Sequence, residues 1–302
     1  MKKYFLIMLV TAFYSCKNET KSNGKLNVVC TTTMITDLVE NIGGNNINIE
    51  GLMGSGVDPH LYKASEGDVS KLVDADIIFY NGLHLEGKLV EVFEKMEKTG
   101  KTPIALGEIL DKKGLIGSDY FASNYDPHVW FDIDYFKQFA RKVSDILIER
   151  DPDNSDAYLK NLNEYLEALN TLQEQVNLII DKLPEEKRIL VTAHDAFNYF
   201  GKAYGFEVVG LQGLSTATEA GVQDVQKLSA FIIEKNIKAI FVESSVPKRT
   251  IEALQQAVKS KGHDVKIGGT LYSDALGNAN TVEGTYLGMF EHNVKTIVEA
   301  LK

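Results

Sequence analysis

Leu159, Leu162, Leu166, Leu169, Leu172, Val176, Ile180 and Leu183 recur at intervals of three or four until Pro184 stops the pattern. That spacing predicts one helix of about 30 residues with a single apolar stripe, about 45 Å long at ~1.5 Å per residue. A helix of that length outreaches a single α/β lobe, so it has to run along more than one. A coiled coil is the competing reading, but the register slips at Gln173 and the stripe covers only about four heptads. Packing within the chain is therefore favoured.

On both sides of the stripe, short β-rich runs alternate with longer amphipathic segments. Before it, strands are expected at 26–30, 47–53, 77–80 and 103–106, and helices at 34–42, 85–98 and 135–150. Asp151-Pro152 reads as an N-cap and first-turn pair that opens the long helix. After it, strands at 189–192, 206–211, 239–242 and 265–269 alternate with helices at 196–204, 222–235, 247–261 and 282–301. The alternation predicts parallel sheets with right-handed crossovers. The expected fold is α/β, with two parallel-sheet lobes, 26–152 and 185–302, joined by a single long backbone helix at 153–184.

The N-terminus reads as an export signal, so the protein is expected outside the cytoplasm. Lys2 and Lys3 precede a short apolar core that starts at Tyr4 and ends at Ser15 and Cys16, too short to span a hydrocarbon layer of ~30 Å, so 1–15 reads as that signal. Residues 16–25 are mostly polar, lack periodicity and read as a flexible tether. Cys16, between the two, is similar to a bacterial lipoprotein acylation site, although Phe13-Tyr14 departs from the usual Leu-Ala or Leu-Ser. The alternative is an unmodified cysteine in a cleaved peptide. Cys30 lies in an apolar run and reads as a small core residue, so no disulfide framework is expected. The formal charge is −10, and loss of Lys2 and Lys3 with the signal makes it about −12. An acidic exported chain without basic clusters argues against nucleic-acid binding.

Asp58-Pro59-His60 returns as Asp126-Pro127-His128, although the whole chain holds only six histidines. Proline fixes its own φ and keeps the preceding residue out of the helical region, making a stiff turn that presents an imidazole. Ligands of open α/β sheets bind beyond the carboxyl ends of the strands. His60, His194 and Asp274 each follow a predicted strand there, and His128 enters from the irregular segment 112–125. Two candidates from each lobe would converge between the lobes. Three imidazoles and one carboxylate suit a divalent first-row metal, and four protein donors make a holding site rather than a catalytic one. Neutral imidazoles are required, so affinity should fall below about pH 6.5. For His194 and Asp274, placement alone does not separate a ligand from a packed core residue. His84 also follows a strand and is not set apart by position. His263 and His292 read as solvated. Asp58, Asp126 and Asp195 are either ring-orienting partners or turn formers, and Glu243 is a strand-end carboxylate placed for the first of these roles.

An ordered set of motifs carries a family resemblance over nearly the whole mature chain. It comprises Asp58-Pro59-His60 with Tyr62, Asn81-Gly82-Leu83 with Leu85-Glu86, Asp126-Pro127-His128-Val129-Trp130 with Asp132, His194-Asp195-Ala196-Phe197 with Tyr199, and Ser273-Asp274. In these residues the chain resembles the solute-binding lipoproteins of bacterial zinc and manganese ABC importers, the TroA and ZnuA type. The resemblance implies two α/β lobes on a backbone helix, with metal held by His60, His128, His194 and Asp274. It also implies a membrane permease as partner, a lipid anchor at Cys16 and a monomer, either periplasmic or on the cell surface. Lys88 and Glu219-Ala220-Gly221 depart from the family pattern in local loops. The histidine-rich acidic loop of zinc-dedicated members is absent from 112–125, whereas many manganese-dedicated members are similar but carry Glu where His194 stands. The expected cargo is thus Zn²⁺ or Mn²⁺, with the donor set leaning to zinc.

The expected function is capture and delivery of metal, not catalysis. A metal-dependent hydrolase, which would need an open coordination position and a general base, is one alternative. A surface adhesin is the other. Because a long helix should limit hinge closure, metal release is expected from movement of the loop around Asp274.

Overall fold

The structure, a computed structural model, describes residues 24–118 and 121–302. The predicted signal 1–15, Cys16 and most of the tether lie outside the described residues. The first half runs β1 (Leu26–Cys30), α1 (Thr33–Gly43), β2 (Ile47–Gly51), α2 (Glu66–Asp74), β3 (Ile77–Tyr80), α3 (Val90–Lys98), β4 (Ile104–Ala105) and α4 (Ile133–Arg150). Its parallel sheet has the order β2-β1-β3-β4. α5 (Ser155–Ile180) follows. The second half then runs β5 (Ile189–His194), α6 (Asn198–Tyr204), β6 (Glu207–Gln212), α7 (Val222–Glu234), β7 (Ala239–Glu243), α8 (Arg249–Ser260), β8 (Lys266–Leu271) and α9 (Tyr286–Leu301). β5 pairs with β6 and β7 with β8, all parallel, and β5 lies beside β7. The expected α/β architecture is what forms.

The long helix does span both halves, packing on α1 and α4 from one side and on α9 from the other. It has 26 residues, about 39 Å. Pro152–Asn154 forms a separate 3-10 turn ahead of it, rather than being its first turn. Leu162, Leu166, Leu169, Leu172, Val176 and Ile180 are buried as the stripe predicts, but Leu159 is 46% exposed and Tyr158 and Tyr165 are buried instead. One hydrophobic cluster runs without a break from β1 and α1 through α5 to α9. Phe136 of α4 stacks on Tyr286 of α9 at 3.7 Å between centroids, a pairing of ~0.5–1.5 kcal/mol beyond its burial.

Other departures have local causes. α2 was not expected, since Leu72 is its one buried residue and leaves little periodicity. Its signal is the capping box in which Ser65 and Asp68 satisfy each other's backbone N–H groups. The helix predicted at 85–98 begins only at Val90. Leu83 and His84 hold φ of +50° and +63°, a left-handed pair that keeps the chain in turns. The last helix begins at Tyr286, after a 3-10 turn at Val282–Gly284.

Candidate metal centre

The fold brings the four predicted donors together. His60 lies on the loop after β2, His128 at the start of the 3-10 turn Val129–Phe131, His194 at the last position of β5, and Asp274 shortly after β8. One donor atom from each lies within 4.8 Å of all the others. Each of these residues is at most 4% exposed.

Both Asp-Pro-His turns are built alike. Asp58 Oδ1 accepts the His60 backbone N–H at 2.9 Å, and Asp126 Oδ1 accepts that of His128 at 2.9 Å. Asp126 Oδ1 also lies 2.7 Å from His128 Nδ1, which fixes the proton there and turns Nε2 inward. Asp58 instead sends Oδ2 to the Thr216 hydroxyl, which donates at 2.5 Å. In the other half, Glu243 Oε1 accepts the His194 backbone N–H at 2.9 Å, and its Oε2 lies 2.6 Å from His194 Nδ1 as an ion-pair contact. Asp126 and Glu243 are therefore ring partners. Asp195 is not, because its Oδ1 accepts the Gly210 N–H at 2.7 Å. Gly210 had no signal in the sequence, yet a Cβ there would come within 2.5 Å of the His194 carbonyl carbon.

Three separations between inner atoms come close to the edges of a coordination shell. His60 Nε2 lies 3.3 Å from His128 Nε2, His194 Nε2 3.2 Å from Asp274 Oδ2, and His128 Nε2 3.6 Å from Asp274 Oδ1. Bonds of ~2.0–2.1 Å to a tetrahedral ion give edges of about 3.3–3.4 Å. Apart from the facing imidazole nitrogens, neither Asp274 oxygen has a hydrogen-bond donor, although the residue is buried. A buried carboxylate faced only by imidazoles suits a cation.

Electrostatics separate the rings. Burial pushes the His60 imidazole down to about 3, so it stays neutral across the physiological range. Burial also works against charge on His194, but the Asp274 and Glu243 carboxylates outweigh it and raise this imidazole well above the ordinary histidine range. Burial opposes charge on Asp274 too, yet the facing histidines, His194 first, hold its carboxyl well below the usual carboxylate range. A proton on His194 thus competes with the cation, and the His60 and His194 rings depart from ordinary imidazoles in opposite directions.

The other histidines are elsewhere. His84 is exposed and outside the cluster, its ring 6.0 Å from that of Phe121. His263 and His292 are half-buried rather than solvated, with Nε2 3.1 Å from the Ile237 carbonyl and 3.0 Å from the Thr270 carbonyl, respectively.

A family model described as ZnuA, zinc-uptake complex component A, periplasmic, matches residues 28–300. The manganese-binding lipoprotein MntA of Bacillus subtilis is 49% identical over 278 residues, 92% of this chain and 90% of the relative. The zinc-binding protein TroA of Treponema pallidum is 46% identical over 283 residues, 94% of this chain and 91% of the relative. A solved structure of the periplasmic zinc-binding TroA from Treponema pallidum superposes with a TM-score of 0.89 at 47% identity, covering 92% of this chain and 99% of that one.

Proposed function

We propose a function from one premise: the chain belongs to the ZnuA family of periplasmic zinc-uptake components. It is the substrate-binding component of a metal ABC transporter, capturing Zn²⁺ or Mn²⁺ and delivering the ion to the membrane permease. His60, His128, His194 and Asp274 are its ligands. The observation that carries this reading is the set of four buried donors whose ligand atoms all lie within 4.8 Å of one another. Four protein donors fill a tetrahedral shell and leave no position for activated water. Asp126 and Glu243, the carboxylates beside the shell, are engaged with ligand rings and are not available as general bases. Both points favour a receptor over a hydrolase.

Two relatives of near-equal identity are named for different metals, so the choice between them rests on the donor set. Three imidazoles and one carboxylate favour Zn²⁺ over Mn²⁺ on the Irving–Williams trend. The division 26–152, 153–184 and 185–302 is our reading of the lobes and linking helix. We further assign 1–15 as a signal peptide, Cys16 as the lipid attachment point before a tether at 16–25, and the working form as a monomer outside the cytoplasmic membrane. Among the described residues no helix is long and apolar enough to cross a membrane. Elemental analysis of protein purified without chelator, followed by Zn²⁺ against Mn²⁺ competition, tests the assignment. It should give about one transition metal ion per chain and displacement of Mn²⁺ by Zn²⁺. Metal-free protein that takes up neither ion would refute it.

A further inference from the structure

The four donors are not held with equal firmness. The segment carrying Asp274 is fastened along its length. Asn293 brackets Tyr272 by accepting its N–H at 2.9 Å and donating to its carbonyl at 2.7 Å. The Trp130 indole N–H donates to the Ser273 carbonyl at 3.1 Å. The Leu276 N–H donates to the Thr33 hydroxyl at 2.8 Å. His128 is fixed through Asp126, whose Oδ2 accepts from the Asn198 amide at 3.0 Å and whose carbonyl accepts from the Tyr199 hydroxyl at 3.0 Å. His194 is part of β5 and is braced by Glu243.

The turn carrying His60 differs. Gly54, Ser55 and Gly56 are exposed, Gly56 holds φ of +72°, and a Cβ on Gly54 would meet nothing within 4 Å. Among the described residues, the one hydrogen bond from this turn to the second half other than through the ligand rings is Asp58 Oδ2 with Thr216. The same carboxylate holds the His60 N–H with its other oxygen, so the position of Thr216 is passed directly to the ligand.

We propose that the Asp58–Thr216 hydrogen bond is the latch of metal exchange. The ion enters and leaves as the His60 turn, hinged at Gly54–Gly56, swings off a cradle of His128, His194 and Asp274 that stays in place. This reverses the expectation that the Asp274 loop moves. It rests on the proposed ligand set and assigns Thr216, which touches no ion, a positioning role.

Two measurements test it on the full mature chain loaded with Zn²⁺. In hydrogen–deuterium exchange, removal of Zn²⁺ should expose residues 54–61 while 272–277 stay protected. Opening of 272–277 with 54–61 unchanged would overturn the proposal. In stopped-flow transfer to a chelator, Thr216→Val should release Zn²⁺ about tenfold faster, the loss of a hydrogen bond to a charged group, and Thr216→Ser should restore the original rate. The melting temperature of the metal-free protein should stay within about 2 °C. An unchanged release rate would overturn the latch, and the exchange experiment on the unaltered protein decides the matter if Thr216→Val fails to fold. Failure of the unaltered protein to bind about one Zn²⁺ refutes the ligand assignment itself. Normal binding with an unmoved release rate refutes only the latch.

Discussion

Asp58-Pro59-His60 and Asp126-Pro127-His128 share a sequence and a backbone hydrogen bond, yet differ in everything beyond the turn. Asp126 is fully buried, and one of its oxygens serves both the His128 backbone and the ring. Asp58 serves only the backbone of its histidine and spends its second oxygen on Thr216. A short motif therefore fixes how an imidazole is presented, while the packing around it decides whether that imidazole is locked or latched. The first turn gives a ligand that can leave, and the second gives one that stays.

The largest effects should come from the ligands themselves. His60→Ala and His128→Ala should each weaken Zn²⁺ binding by more than about a hundredfold, beyond the ~10–100-fold typical of partners outside the shell, as read by competition with a chromophoric chelator. A loss at only one of the two turns would end the idea of a shared site.

Next in size is the difference between the aspartates. Asp126→Asn should cost about 10–100-fold in affinity because it releases the His128 ring, whereas Asp58→Asn should cost less than about tenfold and mainly speed release. Equal losses in affinity would erase the distinction between locked and latched turns.

pH separates the rings in the same way. His194 carries its proton into the neutral range in the metal-free state, and the ion must displace that proton. Apparent affinity should therefore rise with pH, by about tenfold per unit while His194 remains protonated, with about one proton released per ion. Calorimetry in buffers of different ionisation enthalpy measures that proton. His60 titrates near pH 3 and should add nothing between pH 5 and 8. Proton release that His60→Ala abolished and Glu243→Gln left untouched would contradict this division. The smallest effect belongs to the histidines outside the cluster. His84→Ala and His263→Ala should each change affinity by less than about twofold, and a loss matching that of His128→Ala would place a ligand outside the cluster.

The α/β alternation, His60 and His128 were legible because strand ends and a repeated tripeptide are local signals, whereas His194 and Asp274 were set apart from packed core residues only by the family resemblance. α2 was obscured because one buried leucine sets no periodicity, and the late start of α3 because left-handed backbone at Leu83 and His84 is unusual for those residue types. Glu243 could be seen as a strand-end carboxylate, but its contact with His194 depends on β5 lying beside β7, which is a tertiary fact. Thr216 sits in a loop with no motif and meets Asp58 across 158 positions of sequence, so nothing local pointed to it.

X-ray absorption on the Zn²⁺-loaded protein tests the donor set most directly. The spectrum should show a four-coordinate ion with three imidazole nitrogens and one carboxylate oxygen at about 2.0–2.2 Å. A sulfur scatterer, or a shell with fewer than three imidazoles, would contradict it.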